Sequence, residues 1–452
     1  MRAASVMAMI ATMAAGSVAV GQTCVPSWSH GIGRPGVTSD GYIGPMIAWN
    51  DGNGEKLYAG GSFSSVGGFV TRGIAKWDPA TNRWSAVGGG CYSTNTNYYL
   101  AALGTYEFGG VQELVVGGSF GIAGSTAAPR LARWNGTRWA AIPGGQPADS
   151  AVWAITEWNG RLFIGGGFTQ VGSAFCNGIM SYTEEEGWQP VGSGFSGGFA
   201  PNVFAMKVFN DGSGEKLYAG GRFASIGGVN GMIGRWTGSE WEPAGGGIVG
   251  ADTFADIEAM AVFDNGSGPA LYVGGVSLRI GGGSAAIGSV ARWNGVNWQL
   301  VGANLGGRVT ALTVFDDGSG PALYLGGTAQ PGISYIAKLV GNTWVTVDGG
   351  VGQPSGPPWP SVFGMTAWDG KLFVGGDFDW AGSSTQAASG IAIRTSCRCP
   401  ADYNADGAVD ADDTIAFFAD WDAGRTDADF NGDLGVDADD VIAYFARWDA
   451  GC

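Results

Sequence analysis

The sequence predicts an all-β fold, a seven-bladed β-propeller, followed by a small α-helical domain at the C-terminus. Three observations lead to this prediction: a repeat of roughly fifty residues, four short apolar segments in each copy, and two acidic segments near the end of the chain. A Gly-Gly pair that follows the second apolar segment of each copy recurs at residues 60, 117, 165, 220, 274, 326 and 375. Seven copies of this length match the size of propeller blades.

Each copy predicts four antiparallel strands, because its apolar segments are rich in β-branched and aromatic residues and are separated by turn residues. Asp-Gly-x-Gly turns at 51–54, 211–214 and 317–320 separate the first two strands. Asn-Gly, at 135–136 and 294–295, stands between tryptophan-containing segments and is typical of a hairpin. A β-sandwich array or a solenoid is the alternative reading of the same repeat.

The two ends of the repeat region favour a closed ring over a solenoid. The seventh copy ends at Thr395 without a fourth strand. The missing Trp-x-x-x-Gly segment is found at the other end of the region, where Trp28 is followed by Gly33 at the spacing of the other copies. We therefore predict that the N-terminal strand completes the seventh blade.

A Gly-Gly-x-Phe segment is shared by several copies, at 60–63, 117–120, 220–223 and 375–378. It is followed by Ala-Arg/Lys-Trp and then by Trp-x-x-x-Gly. The layout resembles kelch-type propellers, and the pattern is similar to that of fungal cortical polarity-marker proteins. This resemblance implies a fold and leaves the activity open.

The last 54 residues contain one acidic segment twice, at 402–413 and 429–440. Oxygen-bearing side chains stand at loop positions 1, 3, 5, 9 and 12, and position 7 offers a carbonyl group, as in a calcium loop. The alternative, a solvated acidic linker, does not explain the apolar helical faces that follow each loop, at Thr414, Phe418 and Trp421 and at Val441, Phe445 and Trp448. The predicted ligands of two Ca²⁺ ions are Asp402, Asn404, Asp406, Ala408, Asp410 and Asp413, and Asp429, Asn431, Asp433, Gly435, Asp437 and Asp440.

Cys399 and Pro400 precede the first loop and leave no room for an entering helix. A loop followed by one helix, duplicated, resembles a type I dockerin, here in the bacterial variant bracketed by Cys399 and Cys452. The resemblance covers residues 399–452 and implies that calcium folds the module, which then binds a cohesin-type or cell-surface protein. Leu434 stands where the loop normally takes glycine, so we expect the second site to be the weaker one.

The first residues are typical of a secretory signal peptide, with Arg2 before an apolar stretch and small residues near position 20. A membrane anchor is the alternative, but the stretch is short for a span, and no later segment is long enough to be a transmembrane helix. We predict a signal peptide over 1–21, a propeller over 22–397 and a dockerin-like domain over 399–452. The protein is then secreted and extracellular, with a role at the cell surface as one option.

An oxidising compartment favours disulfides, and two pairs bracket the predicted domains. Cys399 with Cys452 would close the small module, and Cys24 with Cys397 would lock the N-terminal strand. Cys91 and Cys176 remain, and their pairing is left open because sequence alone does not fix connectivity.

Charge and composition exclude several function classes. Of the net charge of −16, residues 399–452 carry −12, and the repeat region has no basic stripe, which disfavours nucleic acid binding. The chain has one histidine, His30, so a copper-radical site with two histidines is excluded. No glycine-rich phosphate loop, sialidase motif or specific catalytic constellation is found, and we predict no catalytic residue.

Acidic and aromatic residues nevertheless gather on the connections before the first strands. Asp252, Asp256 and Glu258 form one acidic cluster, and Asp149 with Glu157 form another; solvated loop acids are the simpler reading of both. Aromatic residues on the same connections suit sugar rings, although loop aromatics also simply pack together; they are Tyr98, Tyr99, Phe195, Phe199, Phe254 and Trp359. The predicted glycan-binding rim contains Tyr98, Phe199, Asp256 and Trp359.

Two functions therefore remain. The first is a secreted, calcium-binding scaffold or binding protein with a carbohydrate-related ligand, tethered through its dockerin-like module. The second is a glycoside hydrolase in polysaccharide catabolism, delivered by the same module. The lack of a recognisable acid–base pair favours the first.

Overall fold

The computed structural model describes residues 26–29, 36–37, 41–94, 98–147, 149–198, 201–281, 287–328, 334–353, 361–383, 387–396, 403, 411–423, 428, 430 and 435–450. The predicted signal peptide, His30 and the four cysteines at 24, 397, 399 and 452 lie outside these residues, as do the two predicted disulfides. The chain divides into two compact units. One is built from Ser27–Phe315 and Pro321–Thr395, and the other contains Ser396–Cys452.

The first unit confirms the all-β prediction. Its described residues include seven antiparallel sheets with four main strands each; in six of them these strands follow in sequence order, and in the seventh the N-terminal strand is added at the edge. Sheet 1 contains Tyr42–Asn50, Glu55–Ser62, Ile74–Asp78 and Arg83–Ala86, and sheet 2 contains Tyr99–Phe108, Val111–Ser119, Leu131–Trp134 and Trp139–Ala140. Sheet 3 contains Val152–Trp158, Arg161–Gly166, Ile179–Thr183 and Gly187–Pro190, and sheet 4 contains Asn202–Asn210, Glu215–Arg222, Ile233–Trp236 and Trp241–Glu242. Sheet 5 contains Asp256–Asp264, Pro269–Ile280, Gly288–Trp293 and Trp298–Leu300. Sheet 6 contains Val309–Asp316, Pro321–Gly327, Ile336–Val340 and Thr343–Thr346. Sheet 7 contains Ser361–Trp368, Lys371–Asp377, Ile391–Thr395 and Ser27–Ser29.

The first glycine of each Gly-Gly pair joins consecutive sheets. A Cβ atom added to Gly117 would lie 2.7 Å from the Val152 side chain, and one added to Gly274 would lie 2.5 Å from Val309. In each case the neighbour is a branched aliphatic residue near the start of the next sheet's first strand. The same contact joins the last sheet to the first, where Gly375 approaches the Ile43 side chain at 2.6 Å. Each of these sheets therefore contacts the next, and the last contacts the first.

The second glycine allows a β-bulge in the first strand. A Cβ atom added to Gly221 would lie 2.0 Å from the Asn202 carbonyl oxygen, a distance that no side chain tolerates. At this point the pairing register shifts between Val203 and Ala205, so that one residue of the first strand is left without a partner. A bulge bends a strand and re-aims the unpaired residue.

Tryptophans of the fourth strands also bridge neighbouring sheets. The Trp139 indole nitrogen donates to the Val87 carbonyl at 3.1 Å, and that of Trp241 donates to the Val191 carbonyl at 3.0 Å. Trp28 does the same for the last sheet, because its indole nitrogen donates to the Asp348 carbonyl at 3.2 Å. The strand Ser27–Ser29 pairs with Ile391–Thr395, which confirms the predicted closure by the N-terminal strand.

Short strands add a second layer of pairing between consecutive sheets. Cys91–Tyr92, on the connection after sheet 1, pairs with Ile122–Ala123, which lies between the second and third strands of sheet 2. The connection before sheet 2 and the loop between its second and third strands therefore lie at the same end of the sheet. The remaining short strands are Ser65–Val66, Phe69–Val70, Thr126–Ala127, Gln170–Val171, Ala174–Phe175, Phe195–Ser196, Ser225–Ile226, Val229–Asn230, Ile248–Gly250, Val351–Gly352 and Trp380–Ala381.

Cys91 and Cys176 are both free and buried, and they belong to different apolar clusters. They do not form a third disulfide. Among the described residues, no helix combines the length and the apolar character that a membrane span requires.

The second unit contains two helices, Ala411–Asp422 and Ala438–Ala450. One aromatic ring from each helix stacks face to face with the other, because the ring centroids of Phe417 and Tyr444 lie 4.2 Å apart. These residues occupy equivalent positions of the duplicated segment, so each helix presents the same site to the other. The predicted apolar faces also pack here, because Phe418, Trp421, Val441, Phe445 and Trp448 are partly buried against this pair.

Candidate binding cavity

The bulges of the first strands direct one residue from each sheet towards a single cavity. The unpaired residues are Gly44 and Pro45 in sheet 1, Ala101 in sheet 2, Trp153 in sheet 3, Phe204 in sheet 4, Glu258 in sheet 5 and Phe363 in sheet 7. All of them line one cavity of about 520 Å³, together with Thr310 of sheet 6. The first strands of all seven sheets therefore meet at this cavity.

Aromatic side chains form much of its wall. The Trp153 ring lies 5.3 Å from the Tyr99 ring and 5.5 Å from that of Phe204, between ring centroids. The Arg222 guanidinium lies over the Phe204 ring at 5.6 Å. Such faces can stack on a flat apolar surface of a ligand, and the guanidinium adds a cation–π contact.

A charged cluster adjoins these rings and spans sheets 4, 5 and 6. Asp256 is fully buried, and its Oδ2 accepts hydrogen bonds from Arg222 Nη2 and Arg308 Nη1, both at 2.5 Å. The same Arg308 nitrogen donates to Glu258 Oε1. Asp256 therefore holds two guanidinium groups in place, and buried charges of this kind require such pairing.

Burial in the cavity wall raises the pKa of Glu258 to about 7, and the nearby Asp256 charge adds to this rise, although Arg308 acts in the opposite direction. Of the two carboxyl groups, Glu258 is the one that lines the cavity. It can therefore exchange a proton near neutral pH while its neighbour stays tied to the arginines.

The acidic cluster predicted in the fifth repeat is thus partly confirmed. Asp256 and Glu258 do come together, whereas Asp252 lies on the connection before them and accepts a hydrogen bond from the Phe254 amide at 2.8 Å. A hydrogen bond from the Ser277 side chain holds the pKa of Asp252 below its usual range. Asp252 does not line the cavity, although the Arg308 charge also contributes to lowering its pKa.

The other predicted acids do not form a pair there. Asp149 accepts hydrogen bonds from the Thr169 amide at 3.0 Å and from its hydroxyl, as a solvated loop acid does. Burial raises the pKa of Glu157, and the Glu107 charge adds to it, but Glu157 does not line the cavity.

The predicted rim aromatics are likewise engaged in packing. The Tyr98 hydroxyl donates to the Phe63 carbonyl at 3.2 Å, and Phe195 is buried against Phe223. Phe199 and Trp359 lie outside the described residues. The site therefore lies at the first strands, next to the predicted rim.

Sequence reasoning missed Trp153, Phe204, Arg222 and Arg308. A signal was present, because the first strands share a branched–variable–small pattern: Val-Trp-Ala at 152–154, Val-Phe-Ala at 203–205, Ile-Glu-Ala at 257–259 and Val-Thr-Ala at 309–311. The flanking residues are held by packing, and the variable residue between them faces the cavity.

Most of the predicted calcium ligands lie outside the described residues: Asp402, Asn404, Asp406, Ala408, Asp410, Asp429, Asn431 and Asp433. Of the others, Asp413 and Asp440 are fully buried in the first turns of the two helices. Gly435 and Asp437 directly precede the second helix, and the Asp437 amide donates to Asp440 Oδ2 at 2.8 Å. A fully buried carboxylate at the last position of each loop suits a hard cation with oxygen ligands.

Comparison with known proteins locates the fold and leaves the activity open. No family model matches the chain, and no curated protein matches it. A crystal structure described as the extracellular domain of a one-component system from B. thetaiotaomicron is similar, with a TM-score of 0.50 and 11% sequence identity. The match covers 82% of this chain and 40% of that one, so the chain corresponds to less than half of its structural neighbour.

Proposed function

We propose that the chain is a secreted binding protein that holds an extracellular glycan in the axial cavity of a seven-bladed propeller. A calcium-folded, dockerin-like module at its C-terminus would attach it to a partner. The glycan proposal rests on one observation: every first strand contributes a residue to the same cavity, and these residues combine aromatic faces with charged hydrogen-bonding groups.

The propeller itself is proposed on the sheets, their order and their closure. Glycine contacts link consecutive sheets and also the last to the first, and the N-terminal strand completes the seventh sheet. A solenoid has two free ends and gives no reason for either feature. Kelch-type repeats share this layout, so the resemblance noted from the sequence is carried forward with it.

Saccharides bind where flat apolar faces meet directed hydrogen bonds. Trp153 and Phe204 supply such faces, and Arg222, Glu258 and Asn202 supply polar atoms on the same wall. The cavity volume, about 520 Å³, falls within the range of small-molecule sites. Exposed Phe175 and Phe254 stand on the loops at the same end of the sheets and can extend contact to a longer chain.

The test uses the full chain on a glycan array, followed by calorimetry with the glycans that bind. Replacing Trp153 by alanine should weaken binding about tenfold or more, since it removes one stacking face of the cavity. Val296→Ala is the matched control, because Val296 is exposed on a hairpin between the third and fourth strands of sheet 5. Equal affinities for both variants, or no binding on the array, would reject the proposal.

For the C-terminal module we propose two Ca²⁺ sites with the twelve ligands predicted from the sequence, and a cohesin-type or cell-surface protein as partner. The fully buried Asp413 and Asp440 support the ion sites. Ile415 and Ile442, which stand at equivalent positions of the two copies, are 66% and 68% exposed and support a docking face. Replacing both by aspartate should abolish capture of a cohesin-type domain without changing calcium affinity. Capture that persists, or that does not depend on calcium, would overturn this assignment.

A glycoside hydrolase is the alternative, and the raised pKa of Glu258 favours it because a general acid needs such a group. Hydrolysis also needs a second carboxylate that faces the substrate. Asp256 is fully buried beneath two arginines, so it offers no oxygen to the cavity. We therefore favour binding. Release of reducing sugar that is lost in Glu258→Gln would reverse this preference.

A further inference from the structure

The charged cluster of the cavity has an unusual composition for a site that binds a neutral sugar. Two guanidinium groups, Arg222 and Arg308, stand on its wall, and their exposed fractions are 20% and 26%. One of the two carboxylates that balance them, Asp256, is fully buried beneath the wall. The charged groups that a ligand can reach on this wall are thus the two guanidinium groups and the Glu258 carboxyl group.

We infer that the bound glycan carries a carboxylate, as a uronic acid does, and that this carboxylate binds Arg308 in the place of ionised Glu258 while Glu258 takes up a proton. The inference rests on the proposed glycan function of the cavity. A planar guanidinium suits a carboxylate, because its N–H groups can form two parallel hydrogen bonds.

The proton is required by the charge balance of the cluster. With Asp256 and Glu258 both ionised, the two arginines are already neutralised, and a third carboxylate would be repelled. With Glu258 protonated, the cluster carries one positive charge, which the ligand carboxylate neutralises. Burial and the Asp256 charge already favour the protonated form of Glu258 near neutral pH.

The charged groups that face Glu258 come from three sheets. Asp256 lies on its own strand, Arg222 ends the second strand of sheet 4, and Arg308 precedes the first strand of sheet 6. The remaining polar wall nearby is formed by Asn202, Thr310 and Thr328, which do not titrate. Protonation of Glu258 is therefore the event that sets the pH dependence of ligand binding in this cavity.

The experiment compares acidic oligosaccharides, from galacturonan, glucuronan and alginate, with their carboxyl-reduced neutral counterparts. Calorimetry on the full chain at pH 5.5 should show at least one acidic oligosaccharide binding tenfold or more tightly than its neutral partner. From pH 6 to pH 8 the affinity for this acid should fall about tenfold, since one proton is taken up on binding.

Two variants separate the proton from the charge. Glu258→Gln mimics the protonated acid and should keep the acid preference while abolishing its pH dependence. Arg308→Gln should remove the preference by weakening binding of the acidic oligosaccharide tenfold or more, so that acidic and neutral partners bind with similar affinity. Circular dichroism and thermal unfolding confirm that both variants fold.

The outcomes distinguish the two proposals. If neutral sugars bind as well as acidic ones, or if acid affinity rises with pH, the carboxylate inference fails and the glycan function stands. If no saccharide of either kind binds the native chain, both fail.

Discussion

The Asp-Gly-x-Gly turn between the first two strands carries a side-chain clamp in sheets 1 and 4 that sheet 5 lacks, and this difference gives a direct test of the packing argument. In sheet 4, Asp211 Oδ2 accepts hydrogen bonds from the Tyr218 hydroxyl at 2.7 Å and from Arg235. In sheet 1, Asp51 binds Tyr58 and Lys76 in the same way. The clamp ties the turn to the second and third strands.

Sheet 5 has Asn265 at the position of Asp211. Its tyrosine, Tyr272, is fully buried, and the Tyr272 hydroxyl has no hydrogen-bond partner among the described residues. Arg292, the counterpart of Arg235, instead donates to the Ser267 hydroxyl at 2.5 Å. We therefore predict that Asn265→Asp completes the clamp and stabilises the protein.

The expected gain is about 1 to 2 kcal/mol. A buried polar group without a partner costs about 1–3 kcal/mol, and a hydrogen bond to a charged group contributes about 1.5–3 kcal/mol, from which the burial of the new carboxylate must be subtracted. For a unit of about 370 residues, the entropy of unfolding is about 0.8 kcal/mol per kelvin, so the melting temperature should rise by roughly 1–3 °C. Chemical denaturation measures such a gain more sharply than heating does.

The pH dependence provides an internal control. Burial alone would raise the pKa of Asp211, but hydrogen bonds from Ser213 and Tyr218 and the charge of Arg235 lower it from 3.8 to about 2. A carboxylate with a depressed pKa stabilises the fold fully above its unfolded-state pKa and loses this effect as the pH falls through its folded-state pKa. The gain from Asn265→Asp should therefore be complete at pH 7 and disappear between about pH 4 and pH 2.

Asp211→Asn is the matched variant and should cost about 2 kcal/mol in the same assay. The reasoning is refuted if Asn265→Asp lowers stability at pH 7 or leaves it unchanged while Asp211→Asn costs the expected amount. It is refuted equally if the gain persists unchanged at pH 2.

Three further predictions address other contacts, two of them within the β-unit and one within the C-terminal unit. Gly274→Ala should lower the free energy of unfolding by about 2–3 kcal/mol, because the added methyl group overpacks the Val309 side chain. Adding Val309→Ala should recover part of this loss. If the losses from the two substitutions simply add, the proposed contact is contradicted. Trp28→Ala should cost about 3–5 kcal/mol, and Trp28→Phe much less, if the N-terminal strand completes the last sheet; identical melting of both variants would exclude this role. Removing calcium with a chelator should abolish the helical circular dichroism of the C-terminal region, and Leu434→Gly should tighten the weaker of two sites in calorimetry; two sites of equal affinity would dismiss the turn argument.

Much of the β-region could be predicted from sequence because its structural residues repeat. The Gly-Gly pairs, the Asp-Gly-x-Gly turns and the fourth-strand tryptophans recur wherever the same packing problem recurs. Each is tied to backbone geometry that does not depend on the ligand. The displaced strand at Trp28 was recognisable for the same reason, since a missing member of a repeat can be sought elsewhere in the chain.

The binding cavity could not be predicted in the same way. Its residues stand at equivalent places in the first strands but differ in kind: Trp153, Phe204 and Phe363 are aromatic, Glu258 is acidic and Thr310 is polar. Prediction from residue type pointed to acidic and aromatic residues on the connections between sheets. Residues such as Asp149 and Phe195 are instead held by local contacts.

The bulge connects the structural repeat to the proposed function. The second glycine of each pair, such as Gly221, brings its strand so close to the neighbouring carbonyl that the first strand must accommodate an extra residue. That residue has no partner across the strand and is free to vary. Packing therefore fixes where each side chain enters the cavity, whereas the ligand constrains which side chain enters. Substitution of Gly221 by alanine should accordingly disturb ligand binding through Phe204, although Gly221 itself does not line the cavity.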